Sequence, residues 1–281
     1  MKYTILIFLF LFPIIIFSQV ILKGVICDSK KNALPYTNIV TQKKRIGTST
    51  NEKGEFELIN VLADDSIKIT NIAFHPKLVS PDFLHFNDTI FLDDNIKDLE
   101  EIIVKNIGSF KYEQNLGFID LGNNAEFKLM PGSQMAVFIA NKEKKEGWIK
   151  DISFKVKKSG FCKNKIRVRL LKLDSMGINP SIDLLKENVI LNANELKRTN
   201  HVDISEYKLL LPTEGIFVVL EWVASDINCE KKSFTSITAN MAISTNLVWL
   251  NFRDKLWSHN NSPRLPNGNY MTPNISIKVA Y

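Results

Sequence analysis

Residues 46–59 read Ile46-Gly47-Thr48-Ser49-Thr50-Asn51-Glu52-Lys53-Gly54-Glu55-Phe56-Glu57-Leu58-Ile59. Two short β-favouring runs, Ile46–Thr50 and Glu55–Ile59, are parted by an Asn-Glu-Lys-Gly turn in which Gly54 supplies the positive φ. Outward from this stretch the pattern repeats: Val20–Cys27, Tyr36–Thr41, Ser66–Phe74, Thr89–Leu92 and Glu101–Lys105 are further short apolar runs between turn residues. Within them Ile67, Ile69 and Asn71 alternate with Lys68, Thr70 and Ile72, so one face is less wet than the other. Seven such strands at regular spacing predict an all-β sandwich.

The order of the pieces is more specific than the periodicity. Gly24-Val25-Ile26-Cys27-Asp28 is followed by Leu34-Pro35-Tyr36-Thr37-Asn38-Ile39 and then by the 46–56 stretch. Ile69-Thr70-Asn71-Ile72-Ala73-Phe74 and Leu99-Glu100-Glu101-Ile102-Ile103-Val104 come later. Together these resemble the carboxypeptidase-like regulatory domain, a transthyretin-like sandwich common in exported proteins of Bacteroidetes-type bacteria. Ala73-Phe74 stands where that family usually has Gly-Tyr. The resemblance covers nearly all of 20–106 and implies a seven-stranded sandwich without catalytic groups. The residues have structural roles of their own: Pro35 enters a strand where no ladder donor is needed, Phe56 and Phe74 are core plugs, and Asp28 is a turn acceptor.

Beyond Asn106 the charge balance shifts. Residues 19–106 carry 11 Lys/Arg against 13 Asp/Glu, and residues 107–281 carry 24 against 17. The segment 106–124 (NIGSFKYEQNLGFIDLGNN) reads as a linker or a lead-in strand. Strand patterns resume at Gln134–Asn141, Ile149–Lys157, Lys165–Lys172, His201–Asp203, Gly215–Trp222, Ser236–Ala242 and Ile275–Ala280. Ile166, Val168 and Leu170 share one face while Lys165, Arg167 and Arg169 share the other, the signature of a half-wet antiparallel sheet. Only Ser181–Glu187 has room for a helical turn or two, and Trp148 and Trp222 read as core. The succession Gly147-Trp148-Ile149, Phe154-Lys155-Val156, Arg167-Val168-Arg169-Leu170, Val202–Tyr207 and Gly215–Trp222 looks like jelly-roll sandwiches that follow the regulatory-like module in short exported proteins. The expected organisation is therefore a signal peptide at 1–18, a regulatory-like domain at 19–106 and a jelly-roll-like β-sandwich at 107–281.

The amino terminus, MKYTILIFLFLFPIIIFSQ, places Lys2 before an apolar run from Ile5 to Phe17 and ends in Ser18-Gln19. That is a secretory signal pattern, with cleavage expected after Ser18 and no transmembrane span in the mature chain. The rival reading is an uncleaved anchor. Against it, the run falls short of the ~20 residues of a spanning helix, and Val20–Ile26 is needed as a strand. The destination is the periplasm, the outer-membrane surface or the medium. The 175 residues after Asn106 are too few for a large outer-membrane receptor barrel.

The 281 residues are 45% hydrophobic and 23% charged, which excludes wholesale disorder and multi-span membrane architecture. A net charge of +6 invites a nucleic-acid reading, but 30 Lys stand against 6 Arg beside 27 Asn. That balance follows AT-rich coding rather than phosphate recognition, where Arg is preferred. Nucleic acid is not an expected partner.

Catalytic chemistry is not indicated. No GxSxG, P-loop or CxxC occurs. His75, His85, His201 and His259 begin no HxxE or HExxH, so neither a metal nor another cofactor is expected. Of the three cysteines, Cys162 and Cys229 sit in polar turns and are the candidate disulfide; three free thiols are the alternative. The candidate ligand-binding set is Trp257, His259, Asn260, Asn261, Arg264 and Tyr270, because sandwich lectins place aromatics and amides on long loops. The alternative is that these aromatics pack the loop down. The functional expectation is a non-catalytic cell-envelope binding or structural module, with an envelope protein or a glycan as partner. A surface carbohydrate-binding accessory protein for glycan uptake is the alternative function.

Overall fold

The computed structural model describes residues 20–95, 111–119, 122, 125–128, 130–159, 165–193, 195–223, 234–253, 255–259, 264 and 266–281. The signal segment, the strand expected at Glu101–Lys105, and Cys162 and Cys229 lie outside the described residues. The architecture is all-β.

The N-terminal sandwich comprises β1 (Val20–Asp28), β2 (Asn38–Thr41), β3 (Gly47–Ser49), β4 (Glu55–Val61), β5 (Ile67–Thr70), β6 (Lys77–Val79) and β7 (Thr89–Leu92). They form a three-stranded sheet, β4-β1-β7, and a four-stranded sheet, β3-β2-β5-β6. Alternation decides what is inside: Ile26, Ile39, Phe56, Leu58, Ile67, Ile69, Ile90 and Leu92 are buried between the sheets. Gly54 has φ +74°, and a Cβ there would stand 2.7 Å from the Ile26 carbonyl oxygen, so only glycine fits the turn. Asp28 accepts from Lys30 N and Asn32 N, as expected of a turn acceptor.

Two elements here escaped the sequence patterns. β6 is three residues long, and helix α1 (Pro81–Phe86) is six. Neither is long enough to show a period. Ser80 caps α1, its Oγ accepting from Phe83 N at 3.1 Å with Pro81 opening the first turn, and Leu84 is buried beneath.

The C-terminal sandwich pairs a six-stranded with a seven-stranded sheet. The first has the order β13 (Pro180–Asp183), β12 (Lys165–Leu173), β16 (Gly215–Val223), β10 (Ser133–Ala140), β18 (Val248–Phe252), with β14 (Val189–Asn192) also on β12. The second has the order β19 (Tyr270–Pro273), β17 (Phe234–Ile243), β11 (Trp148–Ser159), β20 (Ile275–Ala280), β8 (Glu113–Gly117). β15 (Thr199–Asp203) joins β11, and β9 (Ala125–Lys128) joins β17. The inner faces share one core that includes Phe154, Val168, Leu170, Val218, Leu220, Trp222 and Ile277. Trp148 is buried as expected. The 106–124 segment contributes a true strand, β8, and residues 180–183 are extended rather than helical because they pair with β12.

One expectation needs correcting. Lys165, Arg167 and Arg169 do share the outer face of β12, but that face is not wet. Arg167 is 2% exposed. Its neighbour β16 is buried at all nine positions, so both of its faces are covered. Periodicity shows which residues share a face and cannot show what lies over it.

Asp65 illustrates how turns are fixed in the N-terminal sandwich. Its buried carboxylate accepts the backbone N–H of Gln42 (3.0 Å), Lys43 (2.9 Å), Lys44 (3.2 Å) and Ser66 (2.8 Å). Burial alone would push this carboxyl up, but the four donors outweigh it and hold it below the usual carboxylate range. Asp65 therefore contributes stability that is present above its unfolded pKa, near ~3.9, and is lost as pH falls through the lower folded value. Asp65→Asn should lower the melting temperature at pH 7 and flatten its decline below about pH 4. Melts between pH 2 and 7 check this.

Candidate functional site

The candidate loop follows β18 and is pinned at several points. Leu250 and Ser258 exchange backbone hydrogen bonds at 2.9 and 2.8 Å. The His259 ring stacks on buried Trp249 at 3.9 Å and 14°, and its Nε2 lies 3.0 Å from Asn246 O. The Asn246 amide in turn donates to His259 O. Trp257 packs, half-buried, against the outer-face cluster of Ala136, Leu171, Phe217, Val219 and Trp249. Arg264 and Tyr270 belong elsewhere. They bridge to each other, with the guanidinium 5.5 Å over the Tyr270 ring, where β19 enters the other sheet. The set thus divides between two sheets; Asn260 and Asn261 lie outside the described residues.

The second region is the joint between the two sandwiches. On the outer face of the six-stranded sheet, Arg167 and Glu221 are directly opposed across β12 and β16. Arg167 NH1 lies 3.0 Å from Glu221 Oε2, with Arg169 NH1 3.5 Å from the same oxygen. The four-stranded N-terminal sheet covers them. The Asn38 amide donates to Glu221 Oε1 at 2.6 Å, and Arg167 NH2 donates to Tyr36 O. Lys165 Nζ reaches Glu52 at 2.6 Å and Tyr36 OH at 2.7 Å. Burial alone would raise the Glu221 carboxyl, but Arg167, Arg169 and the Asn38 amide hold it below the ordinary range. At Asp183, 2.8 Å from Arg169 Nε, burial prevails and the carboxyl is pushed up. A cavity of about 380 Å³ remains in the joint, with Val40, Ile72 and Ile182 among its apolar walls.

A third region opens at the edge of the C-terminal sandwich, between β8, the end of β10 and the turn from β17 to β18. It is a cleft of about 590 Å³ lined by Gln114, Asn115, Phe118, Phe138, Thr245 and Tyr281, among others. Tyr281 is stacked on Tyr112 with centroids 5.3 Å apart. The sequence carried no local signal for this cleft, because its residues come from four distant segments and each is ordinary by itself.

One grouping superficially suggests a nucleophile. Ser153 on β11 faces His201 on β15, with Oγ 2.8 Å from Nδ1, and donates to Asp151 Oδ1 at 2.6 Å. Asp151 Oδ1 is 3.5 Å from that same Nδ1. A catalytic triad uses the two imidazole nitrogens separately, one held by the acid and the other taking the hydroxyl proton. Here one nitrogen meets both partners and the serine proton points at the carboxylate, so there is no relay. Among the described residues no group of three or more His, Cys, Asp or Glu could hold a metal ion.

Two stability experiments follow from this geometry. Glu221→Leu leaves the Arg167 guanidinium buried without its main counter-charge and should cost about 3–5 kcal/mol. Adding Arg167→Met should restore much of that loss, with a coupling energy above about 1 kcal/mol in the double-mutant cycle from urea melts. Trp257→Ala should cost about 2 kcal/mol, below the range for a fully buried Trp because the ring is half-exposed. Its melting temperature should fall by several degrees.

No curated protein matches the chain. Among solved structures, the cysteine protease and lectin-like domains of Cwp84, a surface layer associated protein of Clostridium difficile, are similar at 10% identity and a TM-score of 0.36. The match covers 84% of this chain and 45% of that one, and a likeness this low carries no argument about fold or function. The N-terminal sandwich is different: residues 22–104, which cover nearly all of β1–β7, match the family described as CarboxypepD_reg-like domain.

Proposed function

We propose that the chain is an exported, non-catalytic cell-envelope protein that acts as a binding or structural module. In this reading residues 1–18 are the signal peptide, 19–106 the regulatory-like domain and 107–281 the jelly-roll-like domain. The observation that carries it is the joint. Charged side chains that could otherwise serve chemistry or recognition, Arg167, Glu221 and Lys165, with Asn38 beside them, hold one sandwich to the other. The regulatory-like module then acts as a rigid support, and the C-terminal sandwich presents its free edge and cleft outward. Export is supported by Lys2 and the apolar run behind it; among the described residues no helix is long and apolar enough to cross a membrane. The protein sits in the periplasm, on the outer-membrane surface or outside the cell, and its partner is an envelope protein or a glycan. The open cleft, with amides and rings side by side, favours the second function considered, a surface carbohydrate-binding accessory role.

Amino-terminal sequencing of exported material should start near Gln19; material retaining Met1 overturns the signal reading. The purified chain should be retained by an envelope fraction while turning over no ester, peptide or glycoside reporter. Turnover of any reporter that persists on further purification would show an enzyme.

A further inference from the structure

Two cavities compete for a ligand, and their hydrogen-bonding states separate them. In the joint most of the polar groups are engaged by protein: Arg167 on Glu221 and Tyr36, Arg169 on Asp183 and Gln134, Asn38 on Glu221, with Arg167 Nε, Arg253 Nε and Asn95 Oδ1 left over. A ligand there would have to break protein–protein bonds before forming its own. In the cleft beside β8 the reverse holds. The side chains of Gln114, Asn115 and Thr245 make no hydrogen bond to protein among the described residues.

What these groups can take follows from their chemistry. Each amide offers both an acceptor oxygen and a donor NH₂, and the threonine hydroxyl also does both. A partner matched to them must itself donate and accept, as a sugar hydroxyl does. Phe118 and Phe138, themselves packed against the C-terminal clusters, form apolar walls, and Tyr281 adds a flat ring suited to the C–H face of a pyranose. Charge is nearly balanced, since Glu143 pairs with Lys145 at 2.7 Å and, among the described lining residues, Lys142 is the one remaining cation. An acidic ligand would find no guanidinium fork among the described lining residues.

The β8 backbone adds to this set. Phe118 N donates to Ile275 O, and Leu116 and Gln114 follow at the alternate register positions opposite Ile277 and Val279. Asn115 and Gly117 therefore turn their N–H and C=O groups away from β20 toward the free edge. An extended peptide could use such an edge, but Gly117 at φ +110° interrupts the regular ladder that a docked strand would need. Isolated backbone groups beside rings and amides suit hydroxyls better.

We propose that the cleft between β8, the end of β10 and the turn after β17 binds a neutral oligosaccharide. Gln114 and Asn115 hydrogen-bond its hydroxyls, and Tyr281, steadied by Tyr112, packs on a sugar face. The inference rests on the binding-module reading and adds to it a site and a ligand class.

The test is calorimetric titration of the full chain with cellohexaose, maltohexaose, mannohexaose and chitohexaose, with hexagalacturonate as the acidic control. At least one neutral hexamer should bind saturably, and hexagalacturonate should not. Gln114→Ala with Asn115→Ala should weaken that binding by about tenfold or more while leaving the melting temperature unchanged, because neither side chain holds a protein bond. Binding of the acidic hexamer alone, of no hexamer at all, or with undiminished affinity by the double variant overturns the proposal. Should the hexamers fail while envelope retention persists and is abolished by protease treatment of the fraction, the ligand is a peptide: the binding-module reading stands and the saccharide site falls. Loss of retention together with hexamer binding would remove both.

Discussion

The arrangement of the two sandwiches depends on an ion pair hidden from water. Arg167 and Glu221 are neighbours across β12 and β16 within one sheet, and by themselves they would be an ordinary surface pair of small energetic weight. Covered, they incur a desolvation cost that Coulomb attraction offsets only if their remaining hydrogen-bonding positions are filled. Asn38 fills one on Glu221 and the Tyr36 carbonyl one on Arg167, leaving the guanidinium Nε without a partner, and both groups come from the N-terminal sandwich. The pair therefore specifies where that sandwich must sit. Arg253 NH1 donating to Arg45 O at 2.6 Å fixes a further point of the same contact.

The outer face of the six-stranded sheet is consequently divided. Its charged half, around Arg167 and Glu221, lies under the regulatory-like module. Its apolar half, around Phe217 and Trp249, lies under the Trp257–His259 segment. This division explains why β16 is buried on both sides although the sheet belongs to a two-layer sandwich. It also leaves the β8 edge outside both covers, with the Gln114, Asn115 and Thr245 side chains uncommitted among the described residues.

Much of the fold was legible in the sequence, and the reasons differ by element. Ile67 and Ile69, or Ile166, Val168 and Leu170, alternate so regularly that only a strand with one buried face satisfies them. The Gly54 turn and the Asp28 turn carry their chemistry in two or three adjacent residues. β6 and α1 were not legible, because three and six residues are shorter than the period that would reveal them. The fate of the Lys165–Arg169 face was not legible either. A basic row looks the same whether water or another sheet lies over it, and the covering residues, Tyr36 and Asn38, are about 130 positions away. The β8 cleft was illegible for the same reason: Gln114, Thr245 and Tyr281 become neighbours only when the last strand is in place.

That last strand sets an order of events. β20 lies between β11 and β8, so Ile277 must pair with Ile152 on one side and Leu116 on the other. Neither neighbour can complete its ladder until β20 has been inserted between them. Contacts of such long sequence separation are slow to form. Until β20 is inserted, β8 has no strand partner among the described residues and the side of β11 from Trp148 to Phe154 that β20 covers stays open. Closure of the sheet therefore waits on a single insertion that serves two ladders at once.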